Sequence, residues 1–152
     1  MYFQRAANSS PPKIFEILYN SWSTASLTDG QAVQWDHQTD ANGVGVMRPT
    51  ARASSAGTDF AGIAAETIAS GAYGLIQVWG YHSAVRVRQD TSSAAANVAA
   101  GRPLSLNAAG SVFCLEPFAT GSTSVLVFPG AIALAAQASW TTKAVAAFIK
   151  AL

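Results

Sequence analysis

Ala72-Tyr73-Gly74-Leu75-Ile76-Gln77-Val78-Trp79-Gly80-Tyr81-His82-Ser83-Ala84-Val85-Arg86-Val87-Arg88 is the stretch that decides the fold. Tyr73, Leu75, Gln77 and Trp79 alternate with Gly74, Ile76 and Val78, the two-residue period of a strand. Gly80-Tyr81-His82 reads as a tight turn. Val85 and Val87 then alternate with Ala84, Arg86 and Arg88. Two alternating runs joined by a short Gly-containing loop predict a β-hairpin, with the arginines facing away from the valines.

The same grammar extends in both directions. Upstream, residues 31–35, 43–47 and 60–68 read as strands around a polar turn at 36–42. Downstream, residues 104–106, 112–115, 125–128, 132–134 and 144–149 read as strands. Gly101-Arg102-Pro103, Asn107-Ala108-Ala109-Gly110 and Pro129-Gly130 punctuate them. Turn signals recur about every 8–12 residues, the spacing of an all-β sandwich or barrel. The alanine-rich run 131–138 follows Pro129-Gly130 and lacks a 3.6-residue period, so it reads as strand. No internal repeat of fixed period is read. The expectation is a mainly β, compact antiparallel β-sandwich or β-barrel-like domain over residues 31–152, preceded by an extended N-terminal arm, residues 1–30. In that arm Pro11-Pro12 favours extended backbone. Phe15, Leu18, Tyr19 and Trp22 then fall at i, i+3, i+4 and i+7, which fits a short helix. The arm docks either on its own domain or on a neighbouring subunit.

Composition narrows the function. The chain has 152 residues, 50% hydrophobic and only 11% charged, with a net charge of +1. A typical soluble domain is about 25% charged. Near-neutrality argues against broad electrostatic binding of nucleic acid. No apolar run approaches the ~20 residues that span a bilayer, and no secretory signal pattern opens the chain. The one cysteine, Cys114, cannot form an internal disulfide and sits in an apolar run, as a small buried hydrophobe does. So few charges leave little to keep a lone copy unassociated, so we expect much of the surface to be covered by other chains.

Catalytic marks are missing: there is no nucleophile elbow, P-loop, dinucleotide fingerprint or H-E-x-x-H. His37 lies between Asp36 and Asp40, a donor set that a solvated turn explains better than a metal. His82 adjoins Ser83, with Asp90 on the next loop, but adjacent strand residues point to opposite faces. The expectation is no enzyme and no cofactor. Trp79 and Tyr81, flanking Gly80, match either a sugar-stacking platform or ordinary packing. Arg86 and Arg88 share one strand face and suit a subunit interface, with Asp90 and Glu116 as ion-pair partners.

Residues 62–80, Gly-Ile-Ala-Ala-Glu-Thr-Ile-Ala-Ser-Gly-Ala-Tyr-Gly-Leu-Ile-Gln-Val-Trp-Gly, resemble a segment of small virion proteins of tailed bacteriophages. Its loose form is G-I-A, small residues, then A-G-x-Y-G-x-I-Q-V-x-G. Residues 101–110 are similar to that family's G-x-x-L, turn, A-G element. Residues 131–138 and the closing Phe148-Ile149-Lys150 are similar to its G-x-A-L-E-A and F-I-K strands, with Ala135 where the family has glutamate. The resemblance spans about the C-terminal two-thirds and carries no catalytic residue. It implies a β-tulip-like domain that decorates and cements the outside of an icosahedral head, made in the host cytoplasm and resident in the virion. The implied partners are the major capsid protein and further copies of the chain, a trimer being favoured, with no nucleic acid and no membrane. On this reading Tyr2, Phe3, Phe15, Leu18, Tyr19 and Trp22 contact the capsid. Arg86, Arg88, Trp79 and Tyr81 lie between subunits. The alternative is a head-fibre or tail-associated module that grips a host surface glycan through Trp79 and Tyr81.

Overall fold

The computed structural model describes residues 12–40, 42–49, 59–88, 98–107, 114–117, 130–137 and 142–151. Nine strands carry the fold: β1 (Lys13–Asn20), β2 (Ala32–Trp35), β3 (Gly45–Met47), β4 (Phe60–Ala64), β5 (Tyr73–Val87), β6 (Pro103–Asn107), β7 (Cys114–Pro117), β8 (Ala131–Ala133) and β9 (Lys143–Lys150). The class is mainly β and barrel-like, as expected. The strands run in the order β1-β3-β2-β4-β5-β7-β6-β8-β9, and two further pairings, β1–β5 and β5–β9, close the sheet on itself twice. The result is two closed five-strand rings fused along β5.

The decisive stretch is therefore one 15-residue strand and not a hairpin. Its first half pairs with β1, from Tyr19↔Tyr73 to Lys13↔Gly80. Its second half pairs with β9, from Trp79↔Lys150 to Val87↔Lys143. Gly80, read as a turn, is the crossing point. It has φ +99°, and a Cβ there would lie 2.2 Å from the Pro12 carbonyl oxygen. Glycine is needed because β1 begins against it, and the chain does not reverse there.

The rings are two copies of one design, although the sequence shows no repeat of fixed period. Each has one parallel pair, β1–β3 or β5–β7, and four antiparallel pairs in the same order. The registers coincide. Ala32↔Ile63 and Val33↔Gly62 correspond to Pro103↔Ile132 and Leu104↔Ala131. Ile63↔Gln77 and Ala64↔Ile76 correspond to Ile132↔Phe148 and Ala133↔Ala147. Trp35↔Val46 corresponds to Leu106↔Leu115. Isolated bridges recur as Leu27↔Ile68 and Val98↔Gln137. Gly30 and Gly101 close the same turn, each donating its N–H to β4 or β8 (Ala64 O, 2.9 Å; Ala133 O, 2.7 Å).

Each ring has its own core. Leu18, Leu27, Val33, Val46, Ala61, Ile68, Ile76 and Val78 fill the first. Val85, Val87, Val98, Leu104, Leu106, Val145, Ala147 and Ile149 fill the second, joined by Ala32, Phe60 and Ile63 from β2 and β4. Those three side chains tie the rings into one body. Residues 13–20, expected in an arm with a short helix, form a strand of the first ring. Leu18 and Asn20 are buried while Phe15 and Ile17 are exposed, a period of two. The expected boundary at residue 30 thus falls inside the ring.

Candidate functional site

The outer face of the β1–β5 ladder carries four large apolar side chains in solvent. Ile17 is 68% exposed and Tyr73 64%, with Phe15 at 41% and Leu75 at 39%. Ile17 stands opposite Leu75 in register, and Tyr19 opposite Tyr73. The two tyrosine rings lie 5.3 Å apart at 53°. Contiguous apolar side chains on the outside of a sheet mark an interaction surface. Glu66 is anchored beside this strip, its carboxylate accepting the Leu75 N–H at 2.8 Å.

The second ring serves as an internal control. The equivalents of Tyr73 and Leu75 are Ala144 and Ala146, read from the matching registers of β4–β5 and β8–β9. The place of Ile17 falls in the bulge of Ser83 and Ala84, where the register steps from His82↔Ala147 to Val85↔Val145. The architecture closes with small residues at these positions, so the fold does not require large ones in the first ring.

The strip ends in a cleft of about 320 Å³ lined by Tyr19, Tyr73, Ser21, Thr39, Asp40, Asn42 and Val44. Its lining acid, Asp40, and the neighbouring Asp36 serve the loop. Asp40 accepts the backbone N–H groups of Asn42 (2.9 Å), Val44 (2.8 Å) and Gly45. The Asn42 bond, helped by those of Gly45 and Val44, outweighs burial and the nearby Asp36 charge, and holds the Asp40 carboxyl below its ordinary value. Burial pushes Asp36 up, but hydrogen bonds from Thr39, Ser21 and Gln38 together win and lower it. His37 turns to Asp59, 3.5 Å away. Among the described residues no group of three His, Cys, Asp or Glu is placed to hold a metal.

His82 is buried and Ser83 exposed, so they face apart, and Asp90 lies outside the described residues. The His82 Nδ1 accepts the Ala84 N–H at 3.2 Å, which leaves the proton on Nε2, 3.7 Å from Asp29. Burial depresses the His82 pKa; Asp29 opposes the shift and Lys13 adds to it.

Of the residues expected to meet a capsid, Tyr2 and Phe3 lie outside the described residues. Phe15 is exposed, Tyr19 half-buried, and Trp22 half-buried with the Arg48 guanidinium 4.7 Å from its ring centroid. Leu18 is a core residue, 4% exposed, and is closed to any partner. Reading residues 15–22 as a helix put it on the wrong face. Of the residues expected between subunits, Arg86 and Arg88 are half-buried, facing away from the buried Val85 and Val87. Trp79 packs edge-on against Phe148 (5.1 Å, 82°), and the Lys13 ammonium sits 5.9 Å from the centre of the Tyr81 ring. Glu116 is in β7 and its side chain lies outside the description. Sequence reasoning missed Ile17, Tyr73 and Leu75 as surface groups. The signal was that β1 is apolar on both strand faces, Phe15, Ile17 and Tyr19 on one and Ile14 and Leu18 on the other, and thus has one face to spare. No protein-family model matches the sequence, and no curated protein matches it.

Proposed function

We propose that this protein is a structural virion component that binds the outside of an icosahedral phage head and cements adjacent capsomers. The observation that carries the reading is the exposed strip of Phe15, Ile17, Tyr73 and Leu75 on a chain that is only 11% charged. Such a surface suits a molecule that works with its faces covered. The sequence resemblance to small virion proteins supplies the kind of assembly. Binding to the assembled shell and not to its free subunits stabilises the shell by mass action, and many modest contacts add through avidity. Shell contact is assigned to the segment preceding β1, with Tyr2 and Phe3.

Because β1 belongs to the first ring, the informative truncation removes residues 1–11 and spares Lys13 onward. The truncated protein is expected to melt like the full chain and to lose most of its co-sedimentation with expanded heads. Saturation of heads at unchanged affinity would remove the N-terminal segment from the shell contact. Failure of the full chain to bind heads at all would end the reading.

A further inference from the structure

We infer that copies of this chain associate head to tail, the apolar strip of one first ring seating on the outer face of the second ring of the next copy. Three observations point to a second copy as the occupant. The first is relief. Phe15, Ile17, Tyr73 and Leu75 project from one ring. In the other, Ile17, Tyr73 and Leu75 are matched by the small Ala84, Ala144 and Ala146, and Phe15 by the half-buried Tyr81. Three large side chains against three alanines interdigitate, whereas strip against strip sets four large groups against four.

The second is charge. Glu66 is fixed against the strip by its bond to Leu75, and its counterpart in the second ring is the neutral Ala135. Beside the alanine face stand Arg86, opposite Ala144 in register, and the exposed Lys143 next to it in β9.

The third is polarity of the whole chain. Residues 1–79 hold six acids and four bases; residues 80–152 hold five bases and two acids. The division falls at the middle of β5, where the rings meet. A near-neutral chain with an acidic and a basic half orients copies of itself in one sense.

The contact joins two different patches, so it is heterologous and repeats from copy to copy until it closes into a ring or runs on as a filament. It needs no shell, and although it draws on the same exposed strip as the capsid reading its test is separate: head binding can fail while this association holds, and the reverse.

The test is complementation in solution, using the full chain. Wild type is expected to show a concentration-dependent mass above the monomer by light scattering. Ile17→Asp with Leu75→Ser removes the strip, and Ala144→Glu blocks the seat with bulk and a carboxylate. Each is expected to weaken self-association at least tenfold while thermal melting confirms the fold. Mixed in equal amounts, the two variants are expected to form a one-to-one heterodimer, because the seat variant keeps its strip and the strip variant keeps its seat. High salt is expected to weaken that heterodimer. A wild type monomeric at ~100 µM, an Ala144→Glu variant that associates normally, or a mixture that stays monomeric would each overturn the inference.

Discussion

Alanine placed at Gly30 and at Gly101 separates the effect of backbone conformation from the effect of ring fusion. The two glycines close the same turn in the two rings, with φ of +77° and +83°. The left-handed conformation costs alanine ~1–2 kcal/mol at either site, partly offset by ~0.4–1 kcal/mol from the stiffer unfolded chain. Space differs. A Cβ at Gly101 meets nothing within 4 Å, whereas one at Gly30 lies 2.2 Å from the Ala84 carbonyl oxygen of β5. Relieving that overlap moves Gly30 away from β5 and strains the bond from the Arg86 N–H to the Gly30 oxygen, now 2.8 Å. Losing a buried backbone hydrogen bond adds ~1–3 kcal/mol. Gly101→Ala is therefore expected to cost about 1 kcal/mol and Gly30→Ala about 2–4 kcal/mol, which for a chain of this size is a Tm loss of ~2–4 °C against ~4–16 °C. Differential scanning calorimetry on the two variants decides the matter. Equal losses would mean that the turn of the first ring is not pressed against β5, and the fused-ring packing would be refuted.

Other outcomes follow from the same comparison of rings. Ala135 occupies the place of Glu66, and the Ala146 N–H the place of the Leu75 N–H. Ala135→Glu is expected to add one exposed hydrogen bond, ~0.5–1 kcal/mol, read as a higher urea midpoint with unchanged m; Glu66→Ala should lose a similar amount. The buried His82 gives a pH signature. Its folded-state pKa lies below the ordinary 6.5, so the unfolded chain binds the extra proton first. Stability is full above pH 6.5 and falls as pH drops from there to the depressed value. His82→Asn should flatten that slope in melts from pH 7 to 5, and an unchanged slope would show that other groups cause it. Asp36 and Asp40, both lowered, add their losses only below their ordinary 3.8.

Local alternation made most strands readable, because a β residue shows its face through its immediate neighbours. The ladders of β2, β5, β6 and β9 lie where Val33, Val78, Leu104 and Val145 alternate with less apolar positions. Two misreadings share a physical cause. Gly80 looks like a hairpin turn, but its lack of a side chain answers to the distant Pro12 carbonyl. Phe15, Leu18, Tyr19 and Trp22 look like one helix face because β1 is apolar on both sides, one for the core and one for solvent. The duplication was hidden for a third reason. The equivalent residues are spaced unevenly: Gly30 and Gly101 are 71 apart, Ala64 and Ala133 are 69 apart. The shared β5 also takes two roles, so no cut of the chain yields two whole units. The candidate strip needed the structure, since only the pairing of Ile17 with Leu75 brings residues from β1 and β5 to one face.

The sharing of β5 also sets an order of events on the ribosome. The first ring has all its strands once residue 79 has emerged, and can close while the rest is still being made. The second half of β5 must then wait for β9, the last strand, with the edge that pairs to β9 open. Ala32, Phe60 and Ile63 wait with it, since they belong to the second core. Every nascent chain thus passes through a half-molecule with an open strand edge and an apolar flank, the features that invite aggregation. Mutations that slow closure of the second ring should therefore lower soluble yield more than their effect on the finished protein's stability would suggest.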